Sequence, residues 1–341
     1  MSEEGRPRSD DGRPPLLEVE NLVARFAVPR GVVGAFRGRP KLAVRAVDGV
    51  SFIVREGELL ALVGESGSGK TTTAQSILRL VKPEAGTIRF RGDDITGISG
   101  RELRALRRHV QLIFQDPYES LDPRFRVRAT IEEPLLVHGE GGGKADRDRL
   151  VREALERAGL TPPELFLERY PHELSGGQRQ RVAIAASLAL SPELLVADEP
   201  VSMLDVSVRA GILSLLDELR RSGLGILMIA HDLSTAAHFA DRIAVMYLGR
   251  IVEEGPAREV VHNPRHPYTK ALLSVVPQRD PRRQTQPEIL RGETPNPVNI
   301  PPGCRFNPRC PIAIPECRTT DPDLRVPAGA KRGHQAACIR A

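Results

Sequence analysis

The chain has 341 residues, 40% of them hydrophobic and 27% charged. That is enough for about two domains with cores of their own, and it is the balance of a folded protein rather than a disordered one. The net charge of +5 comes from arginines dispersed among acids, with no tryptophan, which reads as a mixed-charge surface rather than a nucleic-acid patch; no apolar run approaches the roughly 18 residues of a spanning helix.

Residues 1–15 carry Glu, Asp and Arg without an apolar stretch, so they are expected to be a disordered tail rather than a secretory signal. Strand candidates follow at Leu16-Leu-Glu-Val-Glu20, Val50-Ser-Phe-Ile-Val54, Leu59-Leu-Ala-Leu-Val63 and Gly86-Thr-Ile-Arg-Phe90, with a helical pattern over 70–80 between the last two. Gly64, Glu65, Ser66, Gly67, Ser68, Gly69, Lys70 and Thr71 match the P-loop pattern, after an apolar strand and at the start of a helix. Glycines let consecutive backbone N–H groups face phosphates, and the helix N-terminus adds its positive dipole end. Lys70 then supplies a charge for the β- and γ-phosphates and Thr71 a hydroxyl for Mg²⁺.

Residues 109–181 read as mostly helical, with a Gly-rich loop at 139–143 and prolines at 117, 123, 162 and 163. Ser175 has the spacing of an N-cap to the helix that follows it. Apolar runs resume at Leu194-Leu-Val-Ala197 and Gly225-Ile-Leu-Met-Ile229, and helices alternating with such strands predict a parallel sheet of βαβ units. Asp198 closes the first of these runs and Glu199 follows. A P-loop needs such a carboxylate to hold Mg²⁺ through water, and Glu199 stands where it would polarise the attacking water. From about Pro264 the composition turns rich in Pro, Arg and Asn, the mark of an appended domain rather than a continuation of the sheet. Its four cysteines, Cys304, Cys310, Cys317 and Cys338, have the spacing C-x5-C-x6-C-x20-C. Thiols in such a segment suggest metal ligation more than disulfides, and the spacing alone leaves an iron–sulfur cluster, zinc or no metal open.

Leu174-Ser175-Gly176-Gly177-Gln178 resembles the signature sequence of ABC ATPases. The other elements of that family follow in order. Gln115 resembles the Q-loop glutamine, Ser202-Met203-Leu204-Asp205 the D-loop, with Met203 where alanine is more usual, and His231 the switch histidine. Phe26 stands where the family stacks an aromatic ring on adenine. The stretches at 114–123, 170–175 and 266–269 are similar to those of oligopeptide and dipeptide importers, a branch whose relatives also serve oligosaccharide uptake.

The resemblance implies an α/β fold, a RecA-like P-loop ATPase core at 16–263 with an inserted helical subdomain at about 109–181, and a C-terminal Cys-containing extension at 264–341. It implies ATP and Mg²⁺ as ligands. Glu199, His231 and Gln115 would be catalytic, and Thr71, Gln115 and Asp198 would hold Mg²⁺. The P-loop with Thr72 and Phe26 would bind ATP in one subunit, faced by Ser175, Gly177, Gln178 and Asp205 of another. The segment Pro302-Gly-Cys-Arg-Phe-Asn-Pro-Arg-Cys-Pro311 resembles one that in some peptide-importer ATPases binds a [4Fe–4S] cluster, with zinc the alternative. The implied partners are two transmembrane permease subunits, a second ATPase subunit and, indirectly, an extracytoplasmic substrate-binding protein, with no nucleic acid. The implied place is the cytoplasmic face of the cell membrane. A DNA-acting relative would carry sustained heptads, and a tandem translation factor a second P-loop; the sequence has neither.

Overall fold

The computed structural model describes residues 14–27, 42–116, 120–275, 292 and 294–341. They fall into two compact units, one from the described parts of 1–53, 60–96 and 230–341, the other from 54–59 and 97–229. Of the tail expected at 1–15, residues 1–13 lie outside the described residues; so do residues 117–119 of the 114–123 stretch.

The chain opens with β1 (Pro15–Ala27), β2 (Ala43–Arg55) and β3 (Leu59–Val63), then helix α1 (Lys70–Ile77) and strands β4 (Ala85–Phe90) and β5 (Asp93–Asp94). The strands expected from sequence lie within β1 to β4. The helix expected over 70–80 is shorter, because Leu78 leaves helical geometry as its C-cap. Strands β2, β1, β4 and β5 form one sheet in that order, with Leu17 opposite Phe90 and Val19 opposite Ile88 across an antiparallel pair.

In the second unit come α2 (Gly100–His109), β6 (Val110–Ile113), α3 (Val127–His138), α4 (Lys144–Arg157), α5 (Gly176–Leu188), β7 (Leu194–Asp198), α6 (Val206–Arg221) and β8 (Gly225–Ala230). The helical reading from residue 109 needs correction: Val110–Ile113 is a strand, pairing in parallel with β7 from Val110 opposite Leu194 to Ile113 opposite Ala197. Four apolar-leaning residues are too few for a period to distinguish strand from helix. Strand β7 pairs in parallel with β8 in turn, and both are buried along their whole length, as a sheet covered on two faces requires. Helices α3 and α4 pack on α5. Helix α6 buries Ile212, Leu213, Leu215, Leu216 and Leu219 on one face and ends in Arg220 and Arg221, favourable charges at a helix C-terminus.

The first unit resumes with α7 (Leu233–Phe239), β9 (Arg242–Tyr247), β10 (Arg250–Pro256), α8 (Ala257–His262), α9 (Pro267–Ser274) and β11 (Gln335–Ala336). Strand β9 runs parallel to β3, with Leu60 opposite Arg242 and Val63 opposite Val245, and antiparallel to β10. The C-terminal segment does continue this sheet, contrary to the expectation from composition: Ala336 and Gln335 pair with Glu253 and Glu254, covering the β10 edge. With few apolar residues of its own, the segment shares the core of the unit. Phe306 packs against Tyr247 and Tyr268 at ring-centroid distances of 5.3 and 5.5 Å, and all three rings are fully buried. Glu253, fully buried, accepts from the backbone N–H groups of Arg265 and His266 and lies 2.7 Å from Nε2 of His334.

Candidate functional site

In the first unit, β3 delivers the chain into the loop 64–69 and α1 carries it away. Two glycines are there because backbone crosses close by. A Cβ on Gly64 would sit 2.2 Å from the Met246 carbonyl oxygen, and one on Gly69, at φ +108°, 2.0 Å from that of Ala46. Lys70 is buried, and its Nζ donates to the carbonyl oxygens of Gly64 (2.7 Å) and Glu65 (2.9 Å). The ammonium is therefore held over the loop by the loop's own backbone. Ser66, Gly67 and Thr71 are exposed, Thr72 is half-buried, and Ser68 is buried. Phe26 lies near the end of β1 with 41% of its surface exposed, so it is not a core residue. His231 follows β8 and is exposed, beside Asp232, whose carboxylate caps α7 by accepting from the Ser234 N–H at 2.8 Å.

The second unit brings the predicted acidic residues together with Gln115. Asp198 is the buried last residue of β7. Glu199 then turns at φ +46°, a left-handed conformation that costs a non-glycine residue roughly 1–2 kcal/mol. The turn is held by Glu199 N–H donating to Ile229 O (3.0 Å), and by the Ser202 hydroxyl donating to Glu199 O (3.1 Å). It aims the carboxylate at Gln115, whose Nε2 donates to Glu199 Oε2 at 3.1 Å. Gln115 and Asp198 line one open cavity with Phe114, Asp116, Ser120 and Met203; Phe114 and Met203 are more than half exposed.

Ser175 caps α5 as its spacing predicts, and the cap is reciprocal. The Gln178 N–H donates to the Ser175 hydroxyl at 3.3 Å, and Gln178 Oε1 accepts from the Ser175 N–H at 3.0 Å. Gly177 is required by packing, since a Cβ there would lie 2.3 Å from a Val208 methyl. Asp205 stands at the N-cap of α6 without a side-chain capping bond.

Cys304, Cys310, Cys317 and Cys338 line one small cavity with Phe306 and His266. Burial pushes the Cys304 thiol up to about 11, the neighbouring thiols adding to the effect, and burial raises Cys310 as well. Among the described residues, no group of three or more His, Cys, Asp or Glu side chains is arranged to hold a metal ion. The expected iron–sulfur or zinc site thus has no formed metal group behind it.

Sequence reasoning missed the partners of Glu65. Its N–H donates to the Tyr268 hydroxyl (2.9 Å) and its carboxylate accepts from Thr294 (2.7 Å) and Arg309 (2.9 and 3.2 Å). These partners lie more than 200 positions along the chain, and no local signal announces them.

Residues 47–202 match the family model described as "ABC transporter", and residues 252–317 that described as "Oligopeptide/dipeptide transporter, C-terminal region". The oligopeptide transport ATP-binding protein AppF of Bacillus subtilis is 47% identical over 327 residues, covering 95% of this chain and 96% of AppF. The oligopeptide transport ATP-binding protein OppF of Salmonella typhimurium is 46% identical over 329 residues, again 95% of this chain and 96% of its own. Among solved structures, the ATP-binding cassette MJ0796, in a dimeric post-hydrolysis state bound to ADP and Pi, is 29% identical, with a TM-score of 0.61 over 71% of this chain and 99% of that one.

Proposed function

From the premise that this chain belongs to the ATP-hydrolysing subunits of ABC transporters, we propose that it powers the import of oligopeptides or dipeptides. The observation that carries this reading is the identity of 46–47% to two oligopeptide transport ATP-binding proteins over 95% of the chain, through the C-terminal region as well as the ATPase. Oligosaccharides remain the alternative cargo. Membership of the family implies permease partners in a membrane and a dimer of ATPases, identical or paralogous. No helix among the described residues is long and apolar enough to cross a membrane itself. The further assignments are to the cytoplasmic face of the membrane and to indirect service of an extracytoplasmic substrate-binding protein.

The chain's own groups divide the work. Lys70 exchanges its two carbonyl partners for phosphate oxygens, and the N–H groups of the loop and the α1 N-terminus complete an anion site. Thr71, Asp198 and Gln115 would hold Mg²⁺, which when bound neutralises charge on the β- and γ-phosphates. Glu199 takes the proton of the attacking water, and Gln115 holds its carboxylate in place. His231 contacts the γ-phosphate, and Phe26, exposed on β1, stacks on adenine. Ser175, Gly177, Gln178 and Asp205 act on the nucleotide of the opposite subunit, with the reciprocal cap of α5 fixing the donor geometry.

For the cysteines a [4Fe–4S] cluster is preferred to zinc. Zinc needs four sulfurs about 2.3 Å from one point, whereas a cube takes each thiolate on a separate iron. The preference rests on the resemblance of residues 302–311 to a segment that binds such a cluster in some peptide-importer ATPases, and the shared cavity only brings the four thiols to one place. Cys304, Cys310, Cys317 and Cys338 would be its ligands. Protein purified without oxygen is expected to be brown, to absorb broadly and to carry about four irons per chain, with Cys310→Ser losing them. Stoichiometric zinc without iron would overturn the cluster.

The transport reading is tested in cells lacking this chain. Uptake of a labelled oligopeptide is expected to fall to background and to return with the wild-type gene. Undiminished peptide uptake with loss of labelled oligosaccharide uptake would move the cargo to the alternative.

A further inference from the structure

The cysteine-bearing segment reaches directly into the P-loop. Between Cys304 and Cys310 the chain is pinned at three residues. Arg305 donates to the Leu248 carbonyl and to the Asp48 carboxylate. Phe306 enters the Tyr247–Tyr268 ring cluster and lines the thiol cavity. Arg309, itself 9% exposed, forks onto Glu65, with one guanidinium nitrogen 2.9 Å from Oε2 and the other 3.2 Å from Oε1. Its face lies over the Tyr247 ring at 5.9 Å. Thr294 donates to the same carboxylate, and the Tyr268 hydroxyl takes the Glu65 N–H. Every polar group of Glu65 is thereby engaged, since its carbonyl oxygen accepts from Lys70.

This matters because Glu65 has the wrong sign for its place. A carboxylate in a loop that is to receive a polyphosphate repels it, and the repulsion is weakly screened where the groups are partly buried. Burial opposes ionisation of Glu65, but hydrogen bonds from Arg309 and Thr294 and the charges of Arg309 and Lys70 outweigh it, so its carboxyl stays below the usual range. The negative charge is permanent at neutral pH and needs a permanent counter-charge. A bidentate guanidinium supplies charge and geometry together.

We propose that Arg309 is a positioning residue for ATP binding, which neutralises and fixes Glu65 in the P-loop and, lying one residue before Cys310, makes ATP affinity depend on the state of the thiol cavity. The proposal rests on the ATP site assigned above. By thermodynamic reciprocity, ATP must then alter the thiols as the thiols alter ATP binding.

The test uses the purified full-length chain and measures equilibrium binding of ATP and, after a chelator has removed any metal from the cysteines, the rate of Cys310 alkylation by iodoacetamide. Arg309→Gln is expected to weaken ATP binding about tenfold, because it leaves a half-buried carboxylate beside the phosphate site without its bidentate guanidinium. Arg309→Lys, which keeps the charge and loses the fork, is expected to fall between the two. The double variant Glu65→Gln with Arg309→Gln removes the charge that needed compensation, so its affinity is expected to return to within about threefold of wild type. A merely structural arginine would not be rescued in this way. ATP is expected to change the alkylation rate of Cys310 about threefold in wild type and to leave it unchanged in Arg309→Gln. Wild-type affinity in Arg309→Gln, no recovery in the double variant, or an ATP effect on Cys310 that survives without Arg309 would overturn the proposal. Absence of ATP binding by the wild type would instead overturn the ATP site on which it rests.

Discussion

Replacing Lys70 with alanine is expected to weaken ATP binding by about 100-fold or more, the loss of roughly 3 kcal/mol that follows removal of a charge-assisted partner from a phosphate site. The side chain is buried and its Nζ already sits between two loop carbonyls, so at the proposed site the charge would meet phosphates at little further ordering cost. Its loss has a second consequence. The Lys70 charge helps hold the Glu65 carboxyl low, and without it the loop is left with a carboxylate compensated by Arg309 alone. The fold itself should tolerate the change, because residue 70 is the first residue of α1 and alanine is a good helix former. Equilibrium dialysis with labelled ATP, alongside a thermal melt that shows the variant folded, makes the measurement. Affinity within threefold of wild type in folded protein would remove Lys70 from the site.

Much of what is encoded over a few neighbouring residues was legible in the sequence. The P-loop declares itself because glycines, lysine and hydroxyl must follow one another at fixed spacing between a strand and a helix. The α5 start is equally local: Ser175 and Gln178 stand three apart and close a reciprocal cap. Asp198 read correctly as the end of a strand with Glu199 just after it, although the left-handed turn that aims Glu199 at Gln115 carries no glycine to announce it. Two readings failed for lack of length. Strand β6 has four residues, and β11 has two, recruited by backbone pairing to an edge that composition does not reveal. The clamp on Glu65 was illegible for another reason. Its members are brought from 203, 229 and 244 positions away by the fold, and each alone is an ordinary Tyr, Thr or Arg. Phe26, which the resemblance places where an aromatic ring stacks on adenine, is exposed and not in the core.

Glu199 is the proposed base of the hydrolytic step. Phosphate release by purified Glu199→Gln protein, at saturating ATP and Mg²⁺, is the measurement to make. Glutamine keeps the shape and still offers an oxygen to the Gln115 amide, so the turn at residue 199 and the neighbouring Asp198 should be undisturbed. What is lost is the capacity to take a proton, worth about 100- to 10,000-fold in a positioned base. Turnover is therefore expected to fall by that factor while ATP affinity stays within about threefold of wild type. Near-normal phosphate release with intact ATP binding would contradict the assignment of Glu199 as the base and, with it, the hydrolytic mechanism proposed for this chain.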